Sequence, residues 1–242
     1  MKLLFEDYLS KLKEIHNEVK EASKTDISKL SKSNQKTLLN LDRQIDIVYK
    51  NAYKFQIEGK KIATEEKIFS IYEEHTDIIS KGIREIVFGH KINLATGKSN
   101  MFLYCKVEKG NPSDTNLFEE PLKRIEEDYK EVKINTKSAV TDGGYASGDN
   151  LNFAKSTGLV NIVFTKIVGS LKSVAESEEI ENVLMKWRAG IEGCISNLKR
   201  GFNLRRVTWK GWDMFNAKVF WSVIAYNIRV LTGHILETLK AI

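Results

Sequence analysis

The chain has 242 residues, of which 42% are hydrophobic and 29% charged, with 15 Gly and 2 Pro. That excludes wholesale disorder, a collagen helix and a Gly/Pro-rich linker, and it leaves room for one or two domains with buried cores. Thirty-eight basic residues against 32 acidic ones leave a net charge of +6, a modest pointer to a polyanionic partner.

Cys105 and Cys194 are too few for a disulfide framework and too far apart for zinc spacing. They read as reduced thiols of a cytoplasmic protein. The longest apolar stretch, 219–231, is shorter than the roughly 18 residues that suggest a membrane span, and it contains Asn227 and Arg229. Glu6 and Asp7 interrupt the N-terminus before a signal-peptide core can form. No membrane partner is expected.

Taken in chain order, Phe5, Leu9, Leu12, Ile15 and Val19 fall on one face of a helix over 5–22. A second helix over 33–58 makes a helical hairpin the expectation for residues 1–64. The texture changes at Glu65. The stretch 67–72 is short and β-prone, and 89–95 alternates at Ile92 and Leu94 like a strand. A turn at 96–100 leads to a strand over 101–107. The loop 110–114 precedes a helix over 115–129. A strand at 138–141 ends in Asp142-Gly143-Gly144. A helix over 148–156, a strand over 161–166, a helix from 178 past Lys199 and a C-terminal helix over 212–239 complete the chain. Gly190 and Gly193 are candidate breaks in the long helix. The order gives a mixed α/β class, with the second domain at 65–242.

The chemistry concentrates at two carboxylates. Asp142 closes a strand and can project into a cleft at the sheet edge, although an Asp here can also simply bond its own turn. Glu192 follows on a helix. At about 100° per residue, Glu192 and Lys199 lie within about 40° of Arg188 on one face, next to an apolar stripe of Ile191, Ile195 and Leu198. The plain alternative is a solvated face with an Arg188–Glu192 pair. The flanking glycines suggest close approach of another backbone or a ligand. Carboxylates at a strand end and on a later helix suit hard divalent ions in phosphoryl transfer, with Lys and Arg holding phosphates.

Arg188, Glu192 and Lys199 resemble the R-x3-E-x6-K signature of DDE transposases of bacterial insertion sequences. Thr141 to Ser147 resembles the D-x-G-Y-x-S segment with the second metal-binding Asp. Phe88-Gly89-His90-Lys91 resembles the G-[HY]-K strand, and Glu108 to Asp114 resembles the loop after the next strand. Four motifs in order cover about residues 65–232. The resemblance implies an RNase H-like mixed sheet flanked by helices and strand cleavage and transfer dependent on Mg²⁺ or Mn²⁺. It also implies double-stranded DNA and terminal inverted repeats as partners, with homo-oligomers possible.

Two departures stand out. The family's first Asp lies on a strand well before the G-H-K strand, and no such Asp appears here. Asp77 is a weak substitute, because its surroundings match a non-catalytic segment better. The resemblance therefore implies a chain that lacks its first strand and forms the C-terminal part of a longer transposase, inactive as an isolated fragment. The other departure is Met185, where the broader signature has Tyr.

The remaining candidates are a basic run and some isolated side chains. Lys199, Arg200, Arg205, Arg206 and Lys210 suit phosphate-backbone contact. Trp209, Trp212, Phe215, Phe220, Trp221 and Tyr226 read as core packing. His16 reads as a surface residue, and His75 and His90 lack zinc spacing. Two further readings stay open: a non-catalytic remnant that binds DNA or intact transposase, and a nuclease of the same fold.

Overall fold

The structure is a computed structural model that describes residues 2–81, 85–132, 136–167, 171 and 174–240. The chain divides into two compact units, Met1–Gly89 and His90–Ile242.

The first unit opens with α1 (Lys2–Asp26) and α2 (Lys32–Gln56). Ser31 caps α2, its Oγ accepting from Asn34 N–H at 3.3 Å. The two helices run antiparallel, as expected: Lys13 sits over the Tyr49 ring while Lys20 pairs with Asp42. Their interface is polar. His16, expected at the surface, is only 8% exposed and bonds Asp42 Oδ1 at 2.6 Å. An aspartate on the facing helix gives the ring a partner that its own helix does not supply. Gln44 is 1% exposed, and its amide and the Arg43 guanidinium both donate to Glu74.

The β-prone stretch 67–72 is not a strand. Ser70 Oγ instead accepts from the N–H groups of Tyr72 and Glu73, a local turn that competes with a ladder. The strands of this unit come later. β1 (Asp77–Lys81) pairs antiparallel with β2 (Glu85–Gly89). Gly89 has φ 153°, which ends β2 and separates it from the next strand.

The second unit begins with β3 (Ile92–Thr96) and β4 (Phe102–Val107), an antiparallel pair. After α3 (Glu119–Asp128), β5 (Ser138–Thr141) crosses through α4 (Gly148–Ser156) to β6 (Asn161–Phe164). β5 and β6 are parallel, as a helical crossover dictates. α5 (Glu178–Gly201) and α6 (Trp212–Lys240) follow. α5 runs unbroken through Gly190 and Gly193, so the anticipated breaks do not occur.

Helices cover both faces of these strands. Phe118, Leu151, Ala154, Leu159, Ile162 and Phe164 form one core around α4. Phe102, Cys194, Leu198, Val223 and Tyr226 form the other, beneath α5 and α6. All four residues of β6 are buried, which is why that strand is nearly continuous in apolar character. The alternation read at Ile92 and Leu94 is real, but the buried residue of β3 is Asn93, whose amide donates to Leu117 C=O at 3.0 Å.

The fold is mixed α/β, as expected. Among the described residues the strands form three two-stranded sheets, β1–β2, β3–β4 and β5–β6, and not one mixed sheet. The C-terminal aromatic group also departs from its reading as core. Tyr226 is buried, yet Trp209, which precedes α6, is exposed, and so are Phe220 and Trp221, because α6 carries apolar residues around most of its circumference and only one stripe can face the strands. By length and composition alone α6 could cross a membrane. Its Val219, Val223 and Tyr226 are buried and its Asn227 bonds β4, so one stripe of the helix packs on this unit.

Candidate functional site

Asp142 stands at the end of β5, directly after Thr141, which pairs with Phe164 of β6. Its Oδ1 accepts from Gly143 N–H at 2.8 Å. The first of the two glycines that follow is required by space, and the second meets only side-chain atoms. A Cβ on Gly143 would lie 2.7 Å from Thr165 C=O, and one on Gly144 would lie 2.8 Å from Asp114 Oδ2. Ser147 then caps α4, accepting from Asn150 N–H at 3.1 Å. The buried Asn150 amide donates to Tyr145 C=O and Thr115 C=O, which sews this turn to the loop before α3.

Lys91 ties the same loop to the β3 end. Its Nζ donates to Pro112 C=O at 2.6 Å and to Asp114 Oδ1 at 2.8 Å. Segments distant in sequence, around Lys91, around Asp114 and around Asp142, thus converge. Neighbouring His90 packs edge-on against Trp212 and Phe215, at 5.0 and 5.1 Å between centroids.

Arg188 of α5 brings the two candidate carboxylates together. Its Nη2 lies 3.1 Å from Asp142 Oδ2, and its Nη1 lies 2.8 Å from Glu192 Oε1. The Arg188 side chain is mostly buried, and both carboxylates are exposed. The expected i,i+4 pair is present, and the same guanidinium also reaches across to the strand end. Partial burial raises the Asp142 pKa, but the Gly143 N–H and the Arg188 charge outweigh it and hold the carboxyl below the usual carboxylate range. Burial likewise opposes the charge on Arg188, and Glu192 and Asp142 more than offset it. A lowered acid pKa contributes stability above the unfolded-state value of about 4, and that contribution is lost as pH falls through the folded value. With Asp142 half exposed, solvent screening keeps the contribution small.

Lys199 lies on the same helix face as Arg188, about 10 Å further along the axis from Glu192, and is exposed. Arg200, Arg205, Arg206 and Lys210 are exposed as well. The segment after α5 folds back, with Leu204 and Arg205 N–H bonding Leu198 and Lys199 C=O, and this presents the basic run at the C-terminal end of α5. Gly193 has open space where its Cβ would be, and Gly190 meets only Asn100 Oδ1 at 3.7 Å. Nothing crowds these glycines, contrary to the close approach they suggested.

Asp77 opens β1 in the first unit, across from Gly89. Among the described residues, no three His, Cys, Asp or Glu side chains gather as a set that could hold a metal ion. Both cysteines are free thiols, and burial pushes Cys105 up to about 12. Sequence reasoning placed Asp142, Arg188 and Glu192 but missed the scaffold of Lys91, Asp114 and Asn150. Lys91 and Asp114 lie in motifs read only as landmarks, and nothing local marks Asn150 as buried.

Compared with known proteins, residues 80–228 match the family model described as the transposase DDE domain. No curated protein and no solved structure matches the chain significantly.

Proposed function

The chain belongs to the transposase DDE-domain family, and from that premise we propose that it acts in DNA transposition, as a catalytic-domain portion with an RNase H-like organisation. The observation that carries this reading is the Arg188 bridge, which holds Asp142 and Glu192 at one site. The two carboxylates are the metal ligands of the proposal, with Mg²⁺ or Mn²⁺ as the ion. Lys199 and the basic run contact phosphates of double-stranded DNA at terminal inverted repeats. Arg188 serves there too when it lets go of a carboxylate.

The residues present do not complete a two-ion site. Two such ions normally share a bridging carboxylate. Here both candidate carboxylates are engaged by one guanidinium, and the described residues offer no third ligand beside them. No catalytic step is therefore assigned to the 242 residues by themselves. The chain alone is expected to give little or no Mg²⁺-dependent cleavage of DNA carrying its element ends. Adding an upstream segment that supplies a strand with an Asp is expected to restore cleavage. Cleavage by the chain alone, lost on Asp77→Ala, would assign the first carboxylate to Asp77 instead and overturn this reading.

The incomplete ligand set also favours a second reading, a non-catalytic chain that binds DNA or intact transposase. Both readings place the DNA on the exposed basic run. Because phosphate contacts release counterions, log affinity falls linearly with log salt, by about 0.9 per phosphate neutralised. Exchanging Lys199, Arg200, Arg205 and Arg206 together for Gln is expected to flatten that slope by about 3.6 in a fluorescence-anisotropy titration. An unchanged slope would move the DNA surface elsewhere, with the lysines of the N-terminal helices the next candidates.

A further inference from the structure

α6 carries two apolar stripes, and the second unit uses one of them. Val219, Val223 and Tyr226 are buried, and the last two pack on Phe102 of β4 and on Cys194 and Leu198 of α5. At about 100° per residue the other stripe points roughly 170° away. Met214, Trp221, Ile228 and Ile235 recur in it every seven residues, and Ala217, Ile224 and Leu231 each follow three residues later. This is the a/d repeat of a coiled coil, kept over three heptads. The six large side chains of the stripe are 46–64% exposed.

A surface helix ordinarily turns polar residues to water, and single exposed apolar side chains need no partner. A continuous apolar stripe marks an interaction surface. The need is greatest at the C-terminal end, where every residue from Leu231 to Lys240 is exposed. A helix draws most of its stability from packing an apolar face and little from propensity. The register says what packs there. A strict seven-residue repeat drifts by about 20° per heptad on a straight helix, so it keeps contact only with another helix that it supercoils around.

We propose that α6 is a dimerisation helix, whose 214–235 stripe packs on the same stripe of a second copy as a parallel two-stranded coiled coil. Three features select this occupant. Ile228 and Ile235 at a with Leu231 at d is the combination that favours two parallel strands. In that arrangement a g residue meets the e residue five positions later on the other helix. Asp213 of each copy then meets Lys218 of the other, and the remaining pairs, Phe220 with Ala225, Asn227 with Thr232 and His234 with Leu239, set no like charges together. The Lys218 ammonium has three donors, one of which goes to Phe202 C=O at 3.1 Å. Finally, the buried stripe lies opposite the exposed one, so the two second units sit on the outer sides of the pair and do not collide. The pairing goes beyond the DNA reading and needs neither DNA nor metal.

Sedimentation velocity on the full 242-residue chain, without DNA or Mg²⁺, is expected to give twice the chain mass of 27.7 kDa. Ile228→Lys combined with Ile235→Lys sets like charges at two facing layers and is expected to weaken the dimer on the order of a hundredfold or more. Both positions are exposed, and lysine forms helix well and suits a helix C-terminus, so the far-UV circular dichroism is expected to persist. Glu237→Gln, on the same helix but outside the stripe, is expected to leave the mass unchanged. Met214→Cys tests direction. The parallel pair brings the two introduced thiols face to face, and diamide is expected to lock that dimer covalently. An antiparallel pair would separate them by about 30 Å, the length of the stripe. The unsubstituted chain is the control, since its own thiols are buried at Cys194 and half-buried at Cys105. Four results overturn the proposal: a monomer up to the solubility limit, a dimer that survives the paired lysine substitutions, a dimer that diamide fails to lock, and binding to phosphatidylcholine–phosphatidylglycerol vesicles that the same pair of substitutions abolishes. The last would assign the stripe to a lipid surface.

Discussion

Asp142→Ala and Glu192→Ala, each made in chain supplemented with the upstream strand, are expected to lower DNA cleavage on the order of 10³-fold or more. Charge stabilisation by a properly held metal is worth several kcal/mol, and each 1.36 kcal/mol is a factor of ten in rate. Both side chains are exposed, so neither substitution removes core packing, and the loss is read at constant fold by circular dichroism. The two need not behave alike under milder exchange. Asp142 also accepts from Gly143 N–H, a bond that helps to set the turn after β5, and Asp142→Asn retains an acceptor there. Activity that persists in Glu192→Ala would show that the Arg188 bridge to Glu192 is an ordinary helix-surface pair. The second carboxylate would then have to be sought elsewhere around the turn, first at Asp114.

The largest effect on stability is expected at Phe164. It is 1% exposed and packs its ring 5.7 Å from that of Phe118. Truncation to Ala in a core that cannot collapse costs about 3–5 kcal/mol. Urea denaturation of Phe164→Ala should show the midpoint of the second unit falling accordingly. Because Phe164 pairs with Thr141, the same substitution loosens the strand end that carries Asp142. DNA cleavage should fail in this variant at temperatures where its helices are still formed.

The second unit was largely legible in the sequence, and for reasons that can be named. β5 was readable because Val140 and Thr141 lead into Asp142 and two glycines, the first of which has no room for a Cβ beside the Thr165 carbonyl. The common face of Arg188 and Glu192 followed from helical spacing alone, since α5 is one unbroken helix. The bridge from Arg188 to Asp142 did not follow, because periodicity within a helix says nothing of what that helix packs against. β1 and β2 were missed because their pairing is set by a partner nearby in sequence and not by a strong alternating pattern. The stretch 67–72 misled in the opposite sense: its propensity was real, but Ser70 offered the backbone a nearer acceptor. His16 and Gln44 look like solvent residues on any scale and are buried only because the facing helix and the segment before β1 supply partners.

The side chain of Asn227 has a consequence for how this protein behaves at high concentration. Its amide donates to Phe102 C=O and its carbonyl accepts from Phe102 N–H, both at 2.8 Å, so one residue of α6 satisfies the start of β4 as a neighbouring strand would. An unpaired outer strand is where sheets from different molecules stick together and aggregate. Here that end of the outer strand is already occupied by a side chain that cannot pass the ladder on to another molecule. Growth of the sheet is thereby blunted on its β4 side, while the inner edges of β3 and β5 stay open. Removing the amide with Asn227→Leu would leave both Phe102 groups without partners and turn a closed flank into one that recruits its own kind.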